Sequence, residues 1–405
     1  MNFEIRAATQ AEMGQLGQIG AYVYAGAFGD GEDNQVAAAN RPEWTLCAFD
    51  GPIMAASFCT IPFTMRALGK PMPLGGITAV GTLPEYRRQG LLRSLMTRSL
   101  SDMREAGRPV AALWASQAAI YQRYGCAMTS VMRRYEVDTV DIGFYDGDWG
   151  DLAVRRVSLD ACFDRLKQCY ATFVQDRLQY IHRATALWRA GILREDADTG
   201  PIHIALAQSA SGDVLGYTIY TMRDRRVAHP ARGQDFVIRD LVWLTPGAYR
   251  SLWRFVASHD LVGRVVWANA PADDPAPDLF AEPRMLMQKD NEGVWTRVVD
   301  APAALAGRGY LGEGELVIEI TTDSLCPWNT GRWQLTVSGG DASVQTSNRP
   351  ADITLDIRAL ALLFSGFRSA TALAAAGLLE AKRPAQVLAD RVFATPFAPH
   401  CPDHF

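Results

Sequence analysis

The sequence predicts an α/β (α+β) chain. Two tandem modules of alternating strands and helices are followed by a third, smaller domain of different make-up. Three observations carry this. Apolar runs of strand length alternate with helical-period segments through residues 1–140 and again from 152. An Asp- and Gly-rich stretch around 138–153 separates the two series. From Trp295 onward the pattern changes to hairpin-like strands followed by two helices. The expected divisions are 1–150, 151–294 and 295–405. At 405 residues the chain is too long for one core, and its 48% hydrophobic and 10% aromatic content fits a folded protein.

In order, Phe3–Arg6 predicts a first strand and residues 11–28 a helix in spite of three glycines. Residues 29–42 form a polar, acidic loop with Asp30, Glu32, Asp33 and Asn34. Thr45–Phe49 and Ile53–Ile61 are strands around the Asp50-Gly51-Pro52 turn. The strand Gly76–Val80 leads to a turn at Pro84, and Leu91, Leu92, Leu95, Met96, Leu100 and Met103 then share one helical face. Pro109–Ser116 predicts another strand, and Gln117–Tyr124 a short helix closed by Gly125. The second module offers a helix at Asp160–Thr172, strands at Ile202–Ala207, Leu215–Met222 and Phe236–Leu244, a helix at Ala248–Asp260 and a strand at Arg264–Ala268. A loop at Ala270–Pro277 follows. The third domain has strands at Gly314–Thr321, Gly331–Ser338 and Ser343–Thr346, then helices at Ile357–Phe364 and Ala370–Leu379.

The net charge of −4 argues against nucleic acid as the main partner and is compatible with a cationic substrate. Seven cysteines stand at 47, 59, 126, 162, 169, 326 and 401, an odd number with no C-x-x-C, so neither a disulfide framework nor a zinc site is expected. The six histidines form no H-E-x-x-H, and no metal is predicted. The N-terminus lacks the layout of a signal peptide and no run of about 18 apolar residues occurs, so no membrane association and a cytoplasmic location are expected. Secretion without a signal peptide stays compatible with this.

Chemistry concentrates in two segments. The first is Val80-Gly81-Thr82-Leu83-Pro84-Glu85-Tyr86-Arg87-Arg88-Gln89-Gly90-Leu91-Leu92-Arg93. A strand, a turn and a helix start expose unpaired N–H groups at the positive end of a helix dipole, which suits a pyrophosphate. Three arginines add charge, and Gly90 allows close approach. No G-x-x-x-x-G-K-[ST] or dinucleotide fingerprint occurs. The Arg-x-x-Gly-x-Leu spacing resembles motif A of the GCN5-related N-acetyltransferases, with Leu92 where Gly or Ala is usual. No such turn follows a strand in the second module.

The second segment is Trp114-Ala115-Ser116-Gln117-Ala118-Ala119-Ile120-Tyr121-Gln122-Arg123-Tyr124-Gly125. Tyr121 lies one turn into a helix, and a phenol is a competent donor to a departing thiolate. A core packing role is the plainer reading, and Tyr124 is a rival donor. The last seven residues, Pro399-His400-Cys401-Pro402-Asp403-His404-Phe405, allow three readings: a fraying tail, a weak metal site, or a terminal carboxylate that acts as a base. In the third domain, Asp323, Asn329, Gly331, Trp333 and Asp352, then Leu360, Leu363, Phe364 and Gly366, resemble the sterol carrier protein fold. Scaffold or assembly surface is its expected role.

Taken together, the chain resembles the Eis N-acetyltransferases in length, domain order and the Leu-Trp-Ala-Ser-x-x-x-Ile-Tyr-x-Arg-Tyr-Gly stretch. The resemblance implies an N-terminal acetyl-CoA-binding acetyltransferase domain, a second acetyltransferase-like domain without a cofactor motif, and a sterol-carrier-like domain that ends in a catalytic C-terminus. It implies acetyl-CoA as co-substrate, contacted by Val80, Gly81, Thr82, Arg88, Gln89, Gly90, Leu91, Leu92, Arg93, Ser116 and Gln117. It implies Tyr121 as proton donor and the α-carboxylate of Phe405 as proton acceptor. Acetylation of several amines of an aminoglycoside-like substrate and a homohexamer built as a dimer of trimers are also implied. Asp30, Asp33, Trp44 and His404 are expected to line the amine pocket. Gln117 departs from the acidic residue common at that place in the family. A protein lysine acetyltransferase and a lipid or sterol carrier with inert acetyltransferase domains are the competing functions.

Overall fold

The computed structural model describes residues 3–25, 40–145, 152–195, 200–225 and 231–405. Asp30 and Asp33 lie outside the described residues. The chain divides into two compact units, one of Met1–Thr129 with Val294–Thr395 and Phe405, the other of Ser130–Gly293 with Pro396–His404.

The first unit holds two sheets. In one, the strands Glu4–Arg6, Cys47–Asp50, Ile53–Ala67, Lys70–Thr82, Val110–Leu113, Trp295–Val298 and Ala127–Met128 are neighbours in that order. All pairs are antiparallel except Lys70–Thr82 with Val110–Leu113. The helix Leu91–Glu105 buries Leu91, Leu95, Met96, Leu100 and Met103, while Leu92 is half-buried. It sits close because Gly75 has no side chain: a Cβ there would lie 2.6 Å from the Met103 sulfur.

The central hairpin is longer than the sequence suggests. Ile53–Ala67 continues through Pro62, and the next strand runs from Lys70 to Thr82. Pro62 stands opposite Gly75, so the long pairing, not local propensity, carries the strand past a residue that cannot donate.

The other sheet of this unit orders Asp341–Thr346, Gly331–Ser338, Gly314–Ile320, Ile353–Leu355 and Leu379–Ala381. Its helix Ile357–Phe364 begins where Asp356 accepts a hydrogen bond from the Ala359 N–H at 2.8 Å. The helix expected over Ala370–Leu379 stops at Ala375, because Gly377 takes a φ of 71° and Leu379 turns into a strand. A further helix, Arg383–Val392, follows.

The second unit is built on one sheet, ordered Lys289–Glu292, Val131–Val137, Val262–Ala270, Gln234–Trp243, Val214–Asp224, Ile202–Gln208 and Ala153–Val157. Its one parallel pair, Gln234–Trp243 with Val262–Ala270, is bridged by the helix Pro246–Ala257. All seven cysteines are buried and unpaired. No described helix is long and apolar enough to cross a membrane.

Candidate active site

The parallel pair of the first sheet opens along its length. Lys70–Thr82 bonds to Val110–Leu113 only from Leu74 opposite Val110 to Ile77 opposite Leu113. Just past this point the strand bulges. Ala79 takes a φ of 50°, the register with Ile53–Ala67 slips, and Ser57 donates to the Ala79 carbonyl at 2.8 Å. A bulge raises the local twist and turns a strand end aside. Val80, Gly81 and Thr82 therefore continue the strand beyond its last parallel partner. Gly81 is where the helix Met13–Val23 comes close, since a Cβ there would be 2.5 Å from Ile19.

The turn after Thr82 is held by Arg87, whose Nε donates to the Thr82 carbonyl at 3.1 Å. Arg88 and Gly90 both adopt left-handed backbone, with φ of 63° and 82°. For Arg88 this conformation costs on the order of 1 kcal/mol, a strain of the kind found at ligand clamps. The helix then starts at Leu91 with no side-chain cap. The first-turn N–H groups of Leu91, Leu92 and Arg93 have no intrahelical acceptor. Arg88, Gln89, Gly90 and Arg93 are exposed, and nothing lies within 4 Å of a Cβ built at Gly90. An uncapped helix start, open space and three arginines fit a diphosphate.

The second module shows the opposite arrangement. Its helix Pro246–Ala257 opens with Pro at the first position, and Thr245 accepts from the Ala248 N–H at 3.1 Å. Here the chain's own hydroxyl takes the donor that an anion would need.

Tyr121 lies in the helix Ala118–Gln122 and is 4% exposed. Burial pushes its phenol up, the neighbouring Tyr24 adds to this, and a hydrogen bond with Ser116 opposes it. It therefore stays protonated at neutral pH. Ser116 also bonds to Tyr24, whose own phenol burial raises. Tyr24 donates to the Val80 carbonyl at 2.9 Å. Ser116, Tyr121 and Val80 thus meet through Tyr24, a residue that no sequence signal singled out. Tyr124 is half-buried, and Gln117 is exposed at the helix start.

Phe405 packs in the same unit as this site, with its ring 5.0 Å from that of Phe63. Both rings cover Gly76, where a Cβ would lie 2.5 Å from Phe63 and 3.1 Å from Phe405. Gly76 is one residue before the last parallel pair. His404 is exposed and groups with the second unit. Trp44 ends a short 3-10 turn, Pro42–Trp44, and carries the Arg41 guanidinium 5.0 Å over its ring. Among the described residues no cluster of three His, Cys, Asp or Glu is set to hold a metal.

Models of known families match three stretches. An acetyltransferase (GNAT) domain matches residues 4–129, a second such model matches 180–298, and a sterol carrier protein domain matches 301–402. Fold and site define a GCN5-related N-acetyltransferase, an enzyme of two GNAT domains with a sterol-carrier-like C-terminal domain. An uncharacterized N-acetyltransferase of Streptomyces avermitilis is 30% identical over 83% of this chain and 83% of its own length. N-acetyltransferase Eis of Mycobacterium tuberculosis is 28% identical over 77% of this chain and 75% of its own. The crystal structure of Eis1 from Mycobacterium abscessus matches 99% of this chain and 100% of that one, at 27% identity and a TM-score of 0.85. The chain belongs to the Eis family of N-acetyltransferases. Acetyltransferases of the GNAT class use acetyl-CoA and act on amines.

Proposed function

We propose that this protein is an acetyl-CoA-dependent N-acetyltransferase that acetylates several primary amines of aminoglycoside-like polyamines by direct transfer. The observation that carries the reading is the opening past Ile77 and Leu113, with an uncapped, arginine-rich helix start at one side and a buried tyrosine at the other. Val80–Thr82 would offer main-chain groups to the pantetheine arm as an added strand. Arg88–Arg93 would hold the diphosphate, and Ser116 and Gln117 would lie along the arm.

Tyr121 keeps its proton in the buried site until the carbon–sulfur bond breaks, then passes it to the departing thiolate. The α-carboxylate of Phe405 takes one proton from the incoming ammonium through water, so that the neutral amine attacks the thioester carbon. The second nitrogen proton, lost as the amide forms, returns Tyr121 to its phenol form. The net change is one acetamide, one thiol and one proton released. Positioning of the two reactants lowers such a barrier by up to about 7–11 kcal/mol. Trp44 would border the amine, offering a face that already accepts a cation, while Asp30, Asp33 and His404 stay assigned to the substrate by the sequence reading alone. A homohexamer and a cytoplasmic location belong to the same proposal.

The test follows acetyl-CoA-dependent thiol release with tobramycin, comparing the chain with one carrying a single extra Gly after Phe405. Background from the seven cysteines is subtracted. Turnover by the first and none by the second is expected. Equal turnover places the base elsewhere. No turnover by either, with turnover on lysine peptides, replaces the small-molecule reading with a protein lysine acetyltransferase.

A further inference from the structure

The segment that carries Tyr121 is an excursion between two short strands, and both of its ends are tied to one further strand. Trp295 pairs with Leu113 before the excursion and with Met128 after it. The excursion turns back at Gly125, which has a φ of 79°. A Cβ there would be 2.9 Å from Ile357 and 3.0 Å from the Arg297 guanidinium. The turn thus rests directly on Arg297, which is fully buried.

Arg297 is itself fixed. Its Nη2 donates to Asp323 Oδ1 at 2.5 Å and its Nη1 to the Val298 carbonyl at 2.7 Å. Asp323 also accepts from the Cys326 N–H at 3.0 Å and from Asn329 Nδ2 at 2.9 Å. Asn329 in turn donates to the Val299 carbonyl at 3.1 Å and accepts from the Ala301 N–H at 2.8 Å. A second prop lies at the surface, where Arg358 donates to Gln122 Oε1 at 3.3 Å. Gln122 directly follows Tyr121. Asp323, Asn329, Ile357 and Arg358 all come from the sterol-carrier-like domain.

A buried ion pair is a costly way to gain stability alone, because desolvation offsets its attraction. Its rigid fork geometry is well suited to holding a turn in one place. We infer that Arg297 and Asp323 are positioning residues for Tyr121, so that the sterol-carrier-like domain serves acetyl transfer by holding the proton donor in register. The inference rests on the assignment of Tyr121 as donor in the proposed function. It gives the third domain a second part in catalysis, beside the Phe405 carboxylate, and again one that needs no lipid ligand.

The experiment measures kcat per folded site, counted by acetyl-CoA titration, for full-length Asp323→Asn, Arg297→Lys and Arg358→Ala, each alone and combined with Tyr121→Phe. With Asp323→Asn, kcat is expected to fall about tenfold or more while the acetyl-CoA KM stays within about twofold, since a misplacement near 1 Å is enough for such a loss. Combined with Tyr121→Phe, it adds no further loss, because the donor is already gone. Arg297→Lys retains only part of the parent rate, and Arg358→Ala shows a smaller, equally non-additive loss. An unchanged kcat per folded site, a change in KM alone, or losses that add to that of Tyr121→Phe would overturn the inference. Should Asp323→Asn fail to fold, Arg358→Ala decides by the same criteria. An unchanged kcat in Tyr121→Phe alone removes the donor assignment. A loss there with none in the other three removes only the positioning role.

Discussion

Phe405 stacks edge-on against Phe63, with ring centroids 5.0 Å apart and planes at 61°, and the pair closes over Gly76. This ties the last residue to the strand whose continuation carries Val80–Thr82. A side chain at Gly76 has no room. Gly76→Ala is expected to push the Phe63 ring aside, and with it the Phe405 ring that packs on it, and to destabilise the fold by about 1–3 kcal/mol. Transfer to tobramycin falls while acetyl-CoA affinity, read by calorimetry, stays near normal. Normal turnover by Gly76→Ala would detach Phe405 from the reaction.

Tyr121→Phe removes one hydroxyl from a buried ring and leaves its packing in place. A loss of about 10²–10⁴ in kcat is expected, with little change in acetyl-CoA binding. Steady-state thiol release and a binding titration check the split. A rise in acetyl-CoA Kd of the same size as the loss in rate would make the hydroxyl a binding group instead.

Gly90→Glu places a side chain in left-handed backbone and a negative charge at an uncapped helix start. The backbone strain costs about 1–2 kcal/mol, and the charge opposes a diphosphate. Acetyl-CoA Kd is expected to rise at least about tenfold, with kcat at saturation nearly unchanged. Arg88→Ala, which relieves no strain but removes a cation, weakens binding less. Unaltered titrations for both would remove the diphosphate from this turn.

In the second unit Asp274 is buried, accepts from the Tyr249 hydroxyl at 2.9 Å and from the Ala276 N–H at 3.0 Å, and burial pushes its carboxyl up to about 7. A carboxyl raised on folding contributes stability that is whole below its unfolded pKa of about 3.9 and is lost as pH rises through the folded value. Asp274→Asn keeps the acceptor and removes the titration. Its melting temperature is expected to gain on the parent as pH rises from about 4 to about 7, and the gain to level off above that folded value. A difference that is flat with pH would mean that Asp274 does not titrate on unfolding.

The tail has its own anchor. Arg183, fully buried, donates to Asp403 at 2.8 Å and to Asp240 at 2.5 Å, and Tyr217 donates to Asp240 at 2.8 Å. Asp403→Ala leaves part of that charge uncompensated and is expected to cost about 3–5 kcal/mol, as for other broken buried pairs. Thermal unfolding measures it. A loss below about 1 kcal/mol, the surface range, would show the pair to be solvated.

Much of the first acetyltransferase module was legible because its signals are local. The Arg-x-x-Gly turn, the helical face from Leu91 to Met103 and the Gly125 stop each depend on residues within a turn of one another. The start of the helix Pro246–Ala257, with Thr245 as cap and Pro246 at its first position, is likewise a local signal. Tyr24, Arg297 and Asp323 gave no such signal. Tyr24 reaches Val80 across 56 positions, and Arg297 reaches Asp323 across 26. Nothing in periodicity or turn chemistry encodes a hydrogen bond of that span.

By itself the sequence determined the class of fold and the family, because strand and helix periods, turn residues and helix starts are set by short-range sterics and hydrogen bonding. Tertiary structure alone decided where the parallel pair opens, that Trp295–Val298 inserts between Val110–Leu113 and Ala127–Met128, and that Phe405 lies over Gly76. Those outcomes depend on which distant surfaces bury one another, and burial is a property of the packed chain as a whole.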